Sequence, residues 1–153
     1  MSNVVISDSI KYIGADDTTL DLFESQYQIP HGVSYNSYVI LDEKIAVMDT
    51  IDARKGDEWM ANLETVLAGR TPDYLVISHL EPDHAANIKR LADHFPEMKL
   101  VLSAKAKAML PQFFDIANLN DRCITVAEGN ELELGSHKLK FFMAPMVHWP
   151  EVM

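Results

Sequence analysis

Tyr74-Leu75-Val76-Ile77-Ser78-His79-Leu80-Glu81-Pro82-Asp83-His84 decides how the rest of this 153-residue chain is read. Its first four residues are an unbroken apolar run, which predicts a strand covered on both faces. Four metal-capable side chains then fall within the six positions from His79 to His84. In extended chain, residues two apart point the same way with Cα atoms about 6.5 Å apart. His79 and Glu81 can therefore close on one ion at bonds of about 2.0–2.2 Å. Pro82 restricts Glu81 to extended backbone. Asp83 takes the place of a helix N-cap, and the helix is expected to run from His84 to Phe95. Asp83, favoured in its ionised form by the helix N-terminus, and His84 face a different direction and suit a second ion. Two adjacent metal sites at the end of a buried strand are the expectation, because open α/β sheets place ligands there. The bland alternative is a cap at Asp83 and ordinary surface histidines.

Working outward, short strands are expected over Ser9–Gly14, Ser34–Leu41 and Lys44–Asp49, with Asp42-Glu43 as a hairpin turn. Lys55 to Leu67 carries Trp59, Leu63, Val66 and Leu67 at helical spacing, and Gly69 ends it. Beyond Pro96 come a short strand at Leu100–Leu102 and a helical stretch from Ala104 to Phe114. Strands follow at Cys123–Val126, Glu131–Leu134 and Lys138–Met143, the last two joined by a turn at Gly135-Ser136-His137. Strands, then β-α-β-α units, then further strands indicate a layered α/β fold. Ala144 to Met153, with His148 and Trp149, reads as a functional loop leaving a strand.

Composition narrows the function classes. Thirteen basic against 23 acidic residues give a net charge of −10, which argues against nucleic acid and against anionic membranes. No apolar run reaches the roughly 18 residues of a bilayer span. Met1 to Ile6 lacks the pattern of a secretory signal. The single cysteine, Cys123, rules out an internal disulfide and fits a reducing cytoplasm.

His79-Leu80-Glu81-Pro82-Asp83-His84 after a strand resembles the metallo-β-lactamase superfamily, whose hydrolases have histidine in place of Glu81. Glu81 there resembles the flavodiiron proteins, also called A-type flavoproteins. Two more segments are similar to that family: Pro30-His31-Gly32-Val33-Ser34-Tyr35-Asn36-Ser37-Tyr38-Val39-Ile40, and Met146-Val147-His148-Trp149-Pro150-Glu151-Val152-Met153. The resemblance implies a metallo-β-lactamase-like αβ/βα sandwich, incomplete in its second half, over residues 1–153. It implies that His79, Glu81 and His148 bind one iron, with Asp83 and His84 on another. A carboxylate in place of an imidazole suits iron cycling between ferrous and ferric states, although zinc accepts carboxylates too.

The resemblance further implies reduction of O2 to water or of NO to N2O, with electrons from FMN. It also implies a head-to-tail homodimer and a rubredoxin-type or flavin electron donor. The family's bridging aspartate, its final histidine and its flavodoxin-like FMN domain lie outside these 153 residues. The expectation is therefore partial occupancy of the second metal, and no turnover by the isolated chain. The alternatives are a zinc metallohydrolase of the same superfamily and a non-catalytic truncated remnant.

Other residues carry less. His31 is expected in a turn, His94 at a solvated helix end, His137 exposed in its turn, and Cys123 as a small buried residue. Tyr35 and Tyr38, three apart in one strand, should face opposite sides. Trp149, beside His148, either walls a metal pocket and faces a flavin or serves packing.

Overall fold

A computed structural model describes residues 4–23 and 25–153, so Met1 to Asn3 of the N-terminal segment lie outside the described residues. The strands are β1 (Ile10–Tyr12), β2 (Ala15–Asp17), β3 (Leu22–Phe23), β4 (Tyr27–Gln28), β5 (Val33–Tyr35), β6 (Tyr38–Ile40), β7 (Ala46–Met48), β8 (Tyr74–Ile77), β9 (Lys99–Ser103), β10 (Cys123–Val126), β11 (Glu131–Glu133) and β12 (Lys138–Lys140). The helices are α1 (Gly56–Leu67), α2 (Pro82–Ala85), α3 (Ile88–His94), α4 (Ala104–Met109) and α5 (Leu119–Arg122).

Six strands make the main sheet in the order β1-β6-β7-β8-β9-β10. The β6–β7 hairpin is antiparallel, whereas β7, β8, β9 and β10 run parallel. Each parallel step moves in the same direction across the sheet, and right-handed crossovers then deliver α1, α3 and α4 to one face. Alternation along the strands divides the core accordingly. Val47, Leu75, Ile77, Leu100 and Leu102 join the cluster that contains Trp59, Leu63 and Leu91. Val76, Val101 and Val126 point the other way and pack with Phe141. Leu134, Leu132 and Leu139 of the β11–β12 hairpin region cover Ile40 and Ala46 on that same side.

Several boundaries differ from the expectation. The strand expected over Ser34–Leu41 is two strands in two sheets, β5 pairing with β2 and β6 with β1 and β7. The break falls at Asn36-Ser37, where the buried Ser37 hydroxyl accepts from Trp59 Nε1 (3.0 Å) and donates to the carbonyl of Asp49 (2.9 Å). Tyr35 and Tyr38 thus belong to different strands. Glu131–Leu134 and Lys138–Met143 are shorter than expected, as β11 and β12. The left-handed end of α1 begins at Ala68 (φ 50°), one residue before Gly69.

The helix expected from His84 to Phe95 begins earlier and is broken. Glu81 is extended (φ −62°, ψ 145°), as Pro82 requires, but Pro82 itself opens α2, the position its fixed φ suits. Asp83 is therefore inside the first turn, not capping it. The interruption comes at Asn87, whose side-chain amide donates to the carbonyl of Ile51 at 2.7 Å. Farther on, the buried Arg122 guanidinium donates to the carbonyls of Ala92 and Phe95 at the end of α3, where acceptors are left open, and to that of Met98 just before β9.

Candidate metal centre

The carboxyl ends of β7, β8 and β9 lie side by side, and each feeds the site. After β7, Asp49 stands in left-handed backbone (φ 54°). Its carboxylate accepts from the amide of Ser78 at 2.7 Å and from the Ser78 hydroxyl. Thr50 adds a second tie, its amide and hydroxyl both donating to the carbonyl of His84 at 2.9 and 2.8 Å. The turn after β8 is thus fastened to the turn after β7 before any ligand is considered.

Residues 144–153 fold back over this turn. The amide of Met146 donates to the carbonyl of Trp149, and that of Met153 to the carbonyl of Ser78. His148 is carried at the exposed tip of this turn, with its Nε2 2.7 Å from Glu81 Oε2. His79 Nε2 lies 2.9 Å from the same oxygen. The His79 imidazole is buried, 7% exposed, and the Glu81 side chain is 13% exposed. One ligand atom from each of His79, Glu81 and His148 lies within 4.8 Å of the others. Two imidazole nitrogens and a carboxylate oxygen at this separation can all reach one cation at metal-ligand distances.

Asp83 and His84 form a neighbouring pair, His84 Nε2 being 3.6 Å from Asp83 Oδ2. The His79 and His84 rings are 5.4 Å apart between centroids. His84 Nδ1 is 3.2 Å from Asp49 Oδ2, and this bond is the main cause that raises the His84 pKa. Burial pushes the Asp83 carboxyl up, the Glu81 charge adding to it and His84 opposing. Asp83 Oδ1 is buried without a hydrogen-bond partner among the described residues. An orphaned buried carboxylate oxygen is costly in a neutral surrounding and is stabilised by a cation. The donor set and this orphan oxygen fit a bound metal.

Trp149 stands edge-on to His79, centroids 5.2 Å apart at 89°. With Glu81, Pro82 and Asp83 it lines a cleft of about 740 Å³ that extends to Tyr35 and Arg54. Elsewhere, His31 is exposed in a loop, His94 is half-exposed and 3.6 Å from Glu64, and Cys123 is half-buried, its thiol pushed up by burial. His137 departs from expectation: it is held by Asp42 and is only 33% exposed.

Two residues of the site escaped sequence reasoning. Asp49 directly follows the strand next to β8, and an acid at that strand end was the available signal. Glu151 lies three residues from His148, and its buried carboxylate accepts from His79 Nδ1 at 2.7 Å and from the amide of Leu80 at 3.0 Å.

A sheet carrying candidate metal-binding side chains at the carboxyl ends of its strands, with this His-x-Glu-x-Asp-His turn, is the architecture of a metallo-β-lactamase-like domain. Residues 33–153 match the family described as ODP family beta lactamase, and the chain belongs to that family. Its relatives are flavodiiron proteins. It is 31% identical to a flavo-diiron protein of Clostridium acetobutylicum, over 100% of this chain and 38% of that protein. It is 32% identical to the nitric oxide reductase of Moorella thermoacetica, over 98% of this chain and 37% of that protein. Among solved structures, rubredoxin oxygen:oxidoreductase of Desulfovibrio gigas superposes with a TM-score of 0.86 at 30% identity, covering 97% of this chain and 37% of that one. The flavodiiron protein of Giardia intestinalis gives a TM-score of 0.88 at 26% identity, covering 96% and 35%. The chain thus spans well under half the length of these relatives.

Proposed function

We propose that residues 1–153 supply the metal-holding domain of a flavodiiron oxygen or nitric oxide reductase. In this reading His79, Glu81 and His148 hold one iron, and Asp83 and His84 contribute to a second. The observation that carries it is the single Glu81 oxygen shared by His79 Nε2 and His148 Nε2. When bound, paired irons would supply electrons to O2 or NO and stabilise the reduced oxygen. Overall, O2 with four electrons and four protons gives two waters; two NO with two electrons and two protons give N2O and water.

The chain's own residues do the rest. Glu81 brings a negative charge and a hard oxygen donor, which favours iron over the all-imidazole set of a zinc hydrolase. Asp49 holds His84 by Nδ1, leaving Nε2 toward Asp83. Trp149 walls the cleft and is assigned the flavin-facing side. The flavin itself, FMN, belongs to a flavodoxin-like domain outside these residues, presented by the partner in a head-to-tail homodimer. A rubredoxin-type or flavin donor, working in the cytoplasm, completes the assignment. Among the described residues no helix is long and apolar enough to cross a membrane.

The test is anaerobic loading with Fe(II), removal of unbound metal, and metal analysis with near-ultraviolet absorption. Retained iron is expected, tightly at one site and partially at the second. Stoichiometric zinc retained in preference to iron, together with ester hydrolysis, would replace this reading by the hydrolase. Two tightly held irons would overturn the partial-occupancy expectation. Rapid O2 consumption by these residues alone with a simple reductant would contradict the need for the flavin domain.

A further inference from the structure

Glu151 is 2% exposed, in a region where burial of a carboxylate demands compensation. Its Oε1 accepts from His79 Nδ1 and from the Leu80 amide, and its main-chain carbonyl accepts from the Ser103 hydroxyl at 2.9 Å. Ser103 in turn caps α4 through the amide of Ala106. One residue thereby joins three pieces: the turn that carries His79 and Glu81, the segment that carries His148, and the end of β9. Its Oε2 is buried and has no hydrogen-bond partner among the described residues. A fold that needed only the tie could use a neutral amide there, with no charge to bury.

We propose that Glu151 is the positioning residue of this centre, holding the His79 ring by Nδ1 so that Nε2 faces the metal and adding a buried negative charge behind it. The proposal rests on the metal-centre reading above. Nδ1–H bound to a carboxylate fixes both the tautomer and the rotation of a ligating histidine, and it raises the basicity of the other nitrogen. Glu151 lies on the far side of the ring from Glu81, so it acts through His79. The unpartnered Oε2 makes the metal-free molecule carry a cost that a cation relieves.

A purely structural tie and a positioning charge predict different outcomes for Glu151→Gln, which keeps the shape and an acceptor oxygen. The experiment is a chelator-competition titration with Co(II) and Zn(II) on wild type, E151Q and E81A, alongside thermal melts of the metal-free proteins. The expected result is a loss of about 10–100-fold in metal affinity for E151Q, with a metal-free melting temperature equal to or above wild type. Unchanged affinity in E151Q, with E81A losing the metal, would overturn the proposal and leave the metal centre standing. Wild type and E81A binding equally weakly would overturn both. A second measurement needs no variant. In zinc-loaded wild type, the histidine 15N spectrum should show His79 protonated at Nδ1 and coordinated through Nε2; coordination through Nδ1 overturns the proposal even if E151Q fails to fold.

Discussion

Two histidine–aspartate pairs stand at opposite ends of β7, and they differ in what they leave unsatisfied. At the amino end, Asp42 accepts from the amides of Glu43, Ser136 and His137, and lies 2.5 Å from His137 Nδ1. His137 Nε2 reaches the Ser9 hydroxyl at 3.0 Å. Both carboxylate oxygens and both ring nitrogens have partners. This clasp ties the β11–β12 turn to the β6–β7 turn and to the start of β1. At the carboxyl end, Asp49 and His84 belong to a cluster in which Asp83 Oδ1 and Glu151 Oε2 are buried without hydrogen-bond partners among the described residues. The same pair of residue types closes a structure where every acceptor is used, and borders the candidate metal centre where acceptors are left over.

Substitutions can break this contrast or sharpen it. Glu81→Ala should have the largest effect, removing the oxygen that His79 and His148 share. Metal affinity should fall by more than the roughly 10–100-fold that follows loss of an outer partner. Asp42→Ala in the clasp should leave the same titration unchanged; equal losses in the two variants would erase the distinction between the two ends.

Asp49→Ala comes next. It leaves the Ser78 amide and hydroxyl and His84 Nδ1 without their acceptor, at a cost of about 2–3 kcal/mol. Urea denaturation of the metal-free protein would read it, and a loss within error would show that the site end is not pinned through Asp49.

Gly135→Ala should cost less, about 1–2 kcal/mol, the penalty of a Cβ in backbone that favours glycine. Gly135 has φ 126°, and a Cβ there would lie 2.5 Å from Asp42 Oδ1. Its expected signature is a lower denaturation midpoint with metal binding intact.

The smallest effect is one of pH. The His137 bond, followed by the backbone amides, holds the Asp42 carboxyl well below its ordinary value. A depressed folded pKa contributes stability above the unfolded value and loses it as pH falls, here from about pH 4 downward. Asp42→Asn should therefore flatten the acid limb of the stability profile. An unchanged slope would remove Asp42 from the account.

The legibility of the two ends differed for a physical reason. His79, Glu81, Asp83 and His84 are concentrated in six residues, and a local pattern shows itself locally. His148 was legible through the segment it shares with the flavodiiron resemblance, since it lies 64 positions after His84 and no spacing rule connects them. Asp42 and His137 were each read as turn residues, and nothing near either one announced the other. The α2–α3 break at Asn87 was equally silent, because the Asn87 amide and the His84 carbonyl are both bonded to Thr50, on a different loop.

By itself the sequence determined the layered α/β order, the buried β8 strand and the crowding of metal-capable side chains into one turn. Those follow from hydrophobic period and from side chains adjacent in the chain. Only the tertiary structure decided which carboxylates stand behind the histidines. Asp49 and Glu151 reach the site from the ends of other elements, and whether a buried oxygen gains a hydrogen-bond donor depends on what folds against it.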